Sequence, residues 1–158
     1  MHRVLILAAV TLPLLVRQPT SLTPNPRLGT WTLDLKKSKY EGVAPPRSET
    51  RTYVAGPDGA VTLTATTVLA SGSTQTVRYT AKYDSKDYPY SGPAGDTISI
   101  RALDHAAFST SSTVKRGGKI VQTALGIVAK DGKTMSYITN GVDAAGKAIT
   151  TTRIYEKQ

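Results

Sequence analysis

Hydrophobic and polar residues alternate with a period of two from residue 28 to the end of the chain. Residues that favour turns interrupt this alternation at intervals of about 8–12 residues, as they do in all-β proteins. No segment between them shows a convincing helix pattern. The pattern predicts ten strands, at residues 29–35, 50–55, 60–69, 77–83, 87–90, 97–103, 107–114, 119–129, 134–139 and 150–157.

The predicted strands are joined almost entirely by short turns, such as Asp131-Gly132, and only residues 36–48 form a longer predicted loop. A Greek-key sandwich needs at least one long return connection, so successive hairpins favour an antiparallel up-and-down meander of about 8–10 strands closed into a barrel. Such a barrel is either filled by side chains or holds one small ligand. Trp31, Leu33 and Leu35 are predicted to point inward, and elsewhere the inward positions include small residues, which leave room for a void: Ala65, Ala81, Ala102, Ala124 and Gly126.

The last predicted strand carries the strongest candidate site. Thr151, Arg153 and Tyr155 share one face, and Thr152 and Ile154 share the other. Inside a barrel, a guanidinium and a phenol held side by side would bind a carboxylate through a charge-assisted hydrogen bond and a second donor. The alternative is an ordinary arginine on a solvated edge strand.

The two ends of the barrel segment resemble the calycin superfamily, which contains the lipocalins and the fatty-acid-binding proteins. Gly29-Thr30-Trp31 is similar to the Gly-x-Trp signature of its first strand, and residues 152–157 (TRIYEK) are similar to the last strand of fatty-acid-binding proteins. The resemblance implies that Arg153 and Tyr155 bind a ligand carboxylate. It also implies a second role for Arg153, which in a lipocalin-like barrel would pack across the ring of Trp31 at the closed floor.

The chain also departs from the fatty-acid-binding proteins. Residues 36–48 are too short and too rich in proline for the two helices of that family's lid. Its second carboxylate-binding arginine would fall near Gly126 or Ile127, where this chain has none. We therefore expect a lipocalin-like barrel whose ligand cannot be transferred from the family.

The first 26 residues predict a signal peptide with a polar lead-in, followed by a single domain at residues 27–158. A basic start precedes an apolar run at residues 4–16, which is shorter than the roughly 20 residues of a membrane-spanning helix. We expect a secreted or periplasmic monomer without a stable membrane span. Loss of this segment removes Arg3 and Arg17 and lowers the net charge from +9 to +7. The remaining basic residues are scattered, which favours solubility over a binding patch.

Catalytic and metal-binding chemistry is not expected. The chain has no cysteine, and its two histidines are His2 in the leader and His105 at a predicted turn, so no zinc site or histidine-based triad is predicted. No cofactor and no nucleic-acid partner are expected. Tyr79 and Tyr83 share an inward face, and we interpret them as packing residues, with a ligand-facing aromatic wall as the alternative.

The sequence thus leads to two hypotheses. In the first, a non-catalytic exported protein holds a small apolar or amphipathic ligand, with a fatty acid as one candidate, inside the barrel. Arg153 and Tyr155 would bind the polar head, and four other residues would line or close the interior: Trp31, Leu63, Tyr79 and Tyr137. In the second, the barrel is filled and structural, and its basic loops contact envelope polyanions or a protein partner.

Overall fold

The structure is a computed structural model that describes residues 25–91, 96–104 and 108–158. Most of the predicted leader, and His105, lie outside these residues. The described residues form ten strands, which we number in chain order: β1 Gly29–Glu41, β2 Ser48–Ala55, β3 Val61–Val68, β4 Thr74–Ala81, β5 Tyr88–Ser91, β6 Asp96–Ala102, β7 Ser109–Arg116, β8 Lys119–Val128, β9 Thr134–Val142 and β10 Ala148–Lys157. One turn of 3-10 helix, Pro57–Gly59, lies between β2 and β3.

The strands close into one antiparallel barrel. Each strand pairs with its neighbours in the chain, and β10 pairs with β1, so that Leu33 lies opposite Tyr155. This arrangement confirms the predicted up-and-down barrel and excludes a two-sheet sandwich. The predicted turn at Asp131-Gly132 connects β8 to β9, where the Gly132 amide donates to the Ala129 carbonyl at 2.8 Å and Gly132 has a φ of 70°. Only glycine adopts this backbone conformation without strain.

The first strand differs from the prediction. Residues 36–41 were expected to begin a loop, but β1 continues to Glu41 because Lys39, Tyr40 and Glu41 pair with the start of β10. The register shifts between Asp34 and Lys39, and there the Asp34 side chain accepts hydrogen bonds from the backbone of the next two lysines. This β-bulge turns Leu35 outward, so its predicted inward position was wrong: 38% of its surface is exposed.

The core follows the alternation of the strands. Its fully buried side chains include Trp31, Met135 and Tyr155, and smaller residues such as Ala81 fill the space between the rings. The outward positions of β1 to β4 are mostly threonines, which suit exposed strand surfaces. No helix in the described ranges has the length and apolar character needed to span a bilayer.

Candidate functional site in the barrel interior

The pair predicted from β10 does hold a carboxylate, and that carboxylate belongs to the protein itself. Thr151, Arg153 and Tyr155 all point into the barrel because they occupy alternate positions of one strand. Arg153 Nη1 donates to Glu49 Oε2 at 2.9 Å, and the Tyr155 hydroxyl donates to Glu49 Oε1 at 2.8 Å. The two side chains therefore act on one group, as the sequence predicted for a ligand head.

A second guanidinium, which the sequence analysis missed, completes this cluster. Arg51 lies two residues after Glu49 on β2, so both point inward, and Arg51 Nε donates to Glu49 Oε1 at 2.6 Å. Both are buried, with 1% of Glu49 and 8% of Arg51 exposed. We call Glu49, Arg51, Arg153 and Tyr155 the carboxylate cluster. Period-two spacing of Glu49, Arg51 and Tyr53 was the available signal, because the opposite face of β2 carries the threonines typical of the barrel exterior.

Aromatic rings hold the arginines of the carboxylate cluster in place. The Arg51 guanidinium carbon lies 4.4 Å from the centre of the Tyr137 ring and 5.0 Å from that of Tyr155. The Arg153 guanidinium carbon lies 5.7 Å from the centre of the Tyr40 ring. Ser112 Oγ lies 3.0 Å from the Tyr137 hydroxyl and so orients that ring. Cation–π contacts of this kind stabilise a desolvated cation by about 2 kcal/mol.

The electrostatics of the carboxylate cluster keep its carboxylate and its guanidinium groups ionised. Burial raises the pKa of the Glu49 carboxyl, but the charges of Arg51 and Arg153 outweigh burial and hold that pKa below its ordinary value. Burial lowers the pKa of Arg51, but Tyr155 and Glu49 overcome it and raise that pKa well above its ordinary value. Burial is also the largest cause of the raised pKa of the Tyr155 hydroxyl. Two cations thus share one anion, which leaves one net positive charge.

A cavity of about 220 Å³ borders this cluster. Its polar wall includes Arg51, Arg153 and Thr151, and its exposed rim includes Leu69 and Gln75. The remaining wall has polar groups at Glu49, Thr67, Gln122 and Thr139 and is otherwise apolar or aromatic: Leu63, Ala65, Val77, Tyr79, Tyr90, Ile98, Val114, Tyr137 and Ile149. The rings of Tyr79 and Tyr90 lie 6.3 Å apart, and burial is the main cause that raises the pKa of Tyr90 to about 12. The cavity therefore combines an apolar wall with a cationic one.

The Arg51 guanidinium has donors at this cavity that no described residue uses. Within the described part of the chain, its only hydrogen bond is the one from Nε to Glu49. Arg153 Nε and Thr151 Oγ1 also have no hydrogen bond to any described residue, but both atoms are enclosed by the protein. Arg51 is therefore the residue of the carboxylate cluster with donors left for a ligand.

The floor of the barrel is a separate, densely packed region. Trp31 Nε1 donates to the Arg27 carbonyl at 2.8 Å, and Lys157 Nζ lies 5.1 Å from the centre of the Trp31 ring. Lys157, and not Arg153, is therefore the last-strand cation that packs on the tryptophan. The Arg27 guanidinium contacts the Gly126 carbonyl and donates to Met135 Sδ at 3.4 Å. We call Arg27, Trp31, Gly126, Met135 and Lys157 the floor.

The six predicted site residues take different places. Arg153, Leu63, Tyr79 and Tyr137 line the cavity. Tyr155 stands behind Glu49 and does not line it, and Trp31 lies in the floor. The chain has no arginine at Gly126 or Ile127 of β8, and the second guanidinium of the cluster comes instead from Arg51 of β2. In the described residues, no group of three potential metal ligands forms a site.

Comparisons with known proteins show the fold of this chain. No family model matches it, and no curated protein matches it. The wild-type fluorescent protein UnaG superimposes with a TM-score of 0.56 at 10% identity, over 83% of this chain and 96% of UnaG. The zebrafish ileal bile acid-binding protein, solved with cholic acid, gives a TM-score of 0.46 at 11% identity, over 84% of this chain and 99% of that one. The UnaG match shows the fold alone and confirms the predicted closed antiparallel barrel.

Proposed function

We propose that this protein binds a small amphipathic ligand inside its barrel, with an acidic head group against Arg51 and Arg153. The observation that carries the proposal is the cavity, which borders the buried guanidinium of Arg51 and the half-buried one of Arg153, and these two share a single carboxylate. The Arg51 donors that no described residue uses suit a hydrogen-bonding head group, and the apolar part of the wall suits a hydrocarbon body. The groups on the wall bind and orient, so the proposed role is carriage or storage and not catalysis.

The size of the cavity narrows the choice of ligand. Its volume of about 220 Å³ is below the roughly 300–1,000 Å³ of most small-molecule pockets. A short-chain fatty acid fits this proposal better than a long one, unless the tail of a longer acid extends past Leu69 and Gln75 at the exposed rim. We further propose that the protein works outside the cytoplasm, because residues 1–26 have the basic start and apolar run of an export signal.

Native mass spectrometry with added octanoate and decanoate tests this function. We expect one acid to bind the wild-type protein, and Arg153→Gln to weaken binding by about tenfold or more because a charge-assisted hydrogen bond is lost. The matched control is Arg101→Gln, which removes an exposed guanidinium from β6 and should leave binding unchanged. The emission of Trp31 checks that each variant is folded, because Trp31 is the single tryptophan and is fully buried. Equal binding by wild type and Arg153→Gln would contradict the proposed head-group site.

A second candidate function rests on Glu49. Its carboxylate already occupies the position expected for a ligand head, as it would in a structural barrel that binds nothing. In that case neither acid binds the wild-type protein at millimolar concentration, while Arg153→Gln still lowers the free energy of unfolding. Binding by the wild-type protein therefore separates the two candidates.

A further inference from the structure

We infer that Glu49 sets the charge of the ligand: it is a fixed internal counter-ion that makes the cavity accept monoanions and reject dianions and uncharged analogues. This inference rests on the proposed function, because it assigns a specificity-determining residue to the same cavity.

The geometry of Glu49 shows why it acts as a fixed group. Arg153 holds one carboxylate oxygen, and Arg51 and Tyr155 hold the other. Only 1% of its surface is exposed. A side chain bound at both oxygens and enclosed in this way cannot leave when a ligand enters without breaking three charge-assisted hydrogen bonds. The ligand must therefore bind beside Glu49 and not in its place.

The charge that Glu49 leaves uncompensated faces the cavity. The guanidinium of Arg51 lines it, and its one described hydrogen bond uses Nε. The two Nη groups of Arg51 make no hydrogen bond with any described residue. They form a second anion position next to the occupied one.

The charge count of the cavity is simple because few ionisable groups line it. Among the described lining residues, Glu49, Arg51 and Arg153 are the only ones charged at neutral pH, and the others that can ionise are the tyrosines 79, 90 and 137. One monoanion therefore brings the buried charge to zero. A dianion leaves one negative charge and an uncharged ligand leaves one positive charge, and unbalanced charge is costly where water is excluded.

Three octyl compounds that differ only in the head group test this inference with the wild-type protein at pH 8. Octyl sulfate is a monoanion, octyl phosphate is mainly a dianion because its second pKa is near 6, and octanol is uncharged. We expect octyl sulfate to bind most tightly in a calorimetric titration, by about tenfold over each of the others, because only the monoanion leaves no unbalanced charge in the cavity. If octyl phosphate or octanol binds as tightly as octyl sulfate, the inference is wrong.

Two variants shift the charge in opposite directions. Glu49→Gln raises the cavity charge by one and should move the preference to octyl phosphate. Arg51→Gln lowers the charge by one and should move it to octanol. Glu41→Gln removes an exposed carboxylate of β1 outside the cavity and should keep the wild-type order. An order that does not change in either variant would overturn the inference.

Failure of this inference can be told apart from failure of the proposed function. If Glu49→Gln does not fold, the wild-type order and Arg51→Gln still decide the question. If the wild-type protein binds octyl compounds in an order unrelated to charge, this inference falls and the proposed binding function stands. If it binds neither these compounds nor the fatty acids, both fall together.

Discussion

The barrel contains two buried arginines that are stabilised in different ways. Arg27, in the floor, is 2% exposed, and its described partners are neutral: the carbonyls of Phe108 and Gly126 and the thioether of Met135. Arg51, in the carboxylate cluster, is 8% exposed and is held by the Glu49 carboxylate and two tyrosine rings. Neutral acceptors and packed side chains suit a permanent closure, and no floor residue lines the cavity.

The carboxylate cluster differs from the floor in the partners and in the surroundings of its arginines. Its guanidinium groups border the cavity, and two cations share one anion. A buried arginine is thus not evidence of a binding site by itself. The difference between the two regions lies in what the cation faces: packed atoms at the floor and a cavity at the cluster.

The largest effect is expected from Glu49→Gln, which removes the only anion of the cluster. The guanidinium groups of Arg51 and Arg153 then repel each other, and loss of the partner of buried Arg51 costs about 3–5 kcal/mol. Urea denaturation followed by Trp31 emission measures the change. The control Glu41→Gln should stay within about 0.5 kcal/mol of wild type because that side chain is exposed. A similarly small change in Glu49→Gln would mean that the cluster does not depend on its carboxylate.

Low pH should remove most of the difference in unfolding free energy between the wild type and Glu49→Gln. The pKa of Glu49 is lower in the folded protein than in the unfolded chain, so the unfolded chain binds more protons as the pH falls. The stability that the carboxylate provides is therefore complete above the unfolded pKa of about 4.3 and is lost as the pH falls through the folded pKa. Urea denaturation of wild type and Glu49→Gln at pH 7, 5, 4 and 3 should show the gap closing below about pH 4.3. A gap that is constant over this range would show that the effect of the substitution is not electrostatic.

Gly126→Ala is expected to disturb both regions, because Gly126 lies where they meet. A methyl group there would come within 2.8 Å of Arg27 Nη1 and within 2.9 Å of Tyr137 Cδ2. Since the Tyr137 ring also packs on Arg51, overpacking should cost about 1–3 kcal/mol and weaken ligand binding as well. The control is Thr123→Ala, an exposed position of the same strand. Unfolding curves and octanoate titrations of both variants test this, and unchanged binding in Gly126→Ala would show that the two regions are independent.

The smallest effect is expected from Lys157→Met, which keeps most of the side chain and removes its charge. The variant loses the contact with the Trp31 ring and the 3.2 Å hydrogen bond to the Pro26 carbonyl. We expect a loss of about 1 kcal/mol in stability without any change in ligand affinity. Lys130→Met, at an exposed position, serves as the comparison. Weaker ligand binding in Lys157→Met would mean that the floor contributes to the site.

Much of the fold was predictable because strand alternation records which residues face the core. The ten strands, the closed meander and the inward direction of Arg153 and Tyr155 all follow from the period of two. The extension of β1 to Glu41 does not follow from this period. Its charged residues suggest a loop, and their pairing with β10 is a contact between distant parts of the chain. Only tertiary pairing could show that this polar segment is a strand.

Only part of the candidate site could be predicted from the sequence, for a related reason. A resemblance at β10 indicated a carboxylate partner for Arg153 and Tyr155, but it carried no information about Glu49, which lies 104 residues earlier in the chain than Arg153. Glu49 and Arg51 look like surface residues in sequence, since two charged side chains on one strand face are normally solvated. They are buried because Glu49 forms ion pairs with both Arg51 and Arg153, and this arises only once β2 and β10 enclose the same interior.

Closure of the barrel by β1 and β10 also has a consequence for folding kinetics. Pairs such as Trp31 with Lys157 join opposite ends of the described chain, and such contacts form late because the entropy of a long loop must be lost first. The β2 pair of Glu49 and Arg51 forms within a local hairpin, whereas Arg153 and Tyr155 join it only when β10 docks. We therefore expect refolding intermediates to lack affinity for ligand, and binding activity should appear with the slowest folding phase.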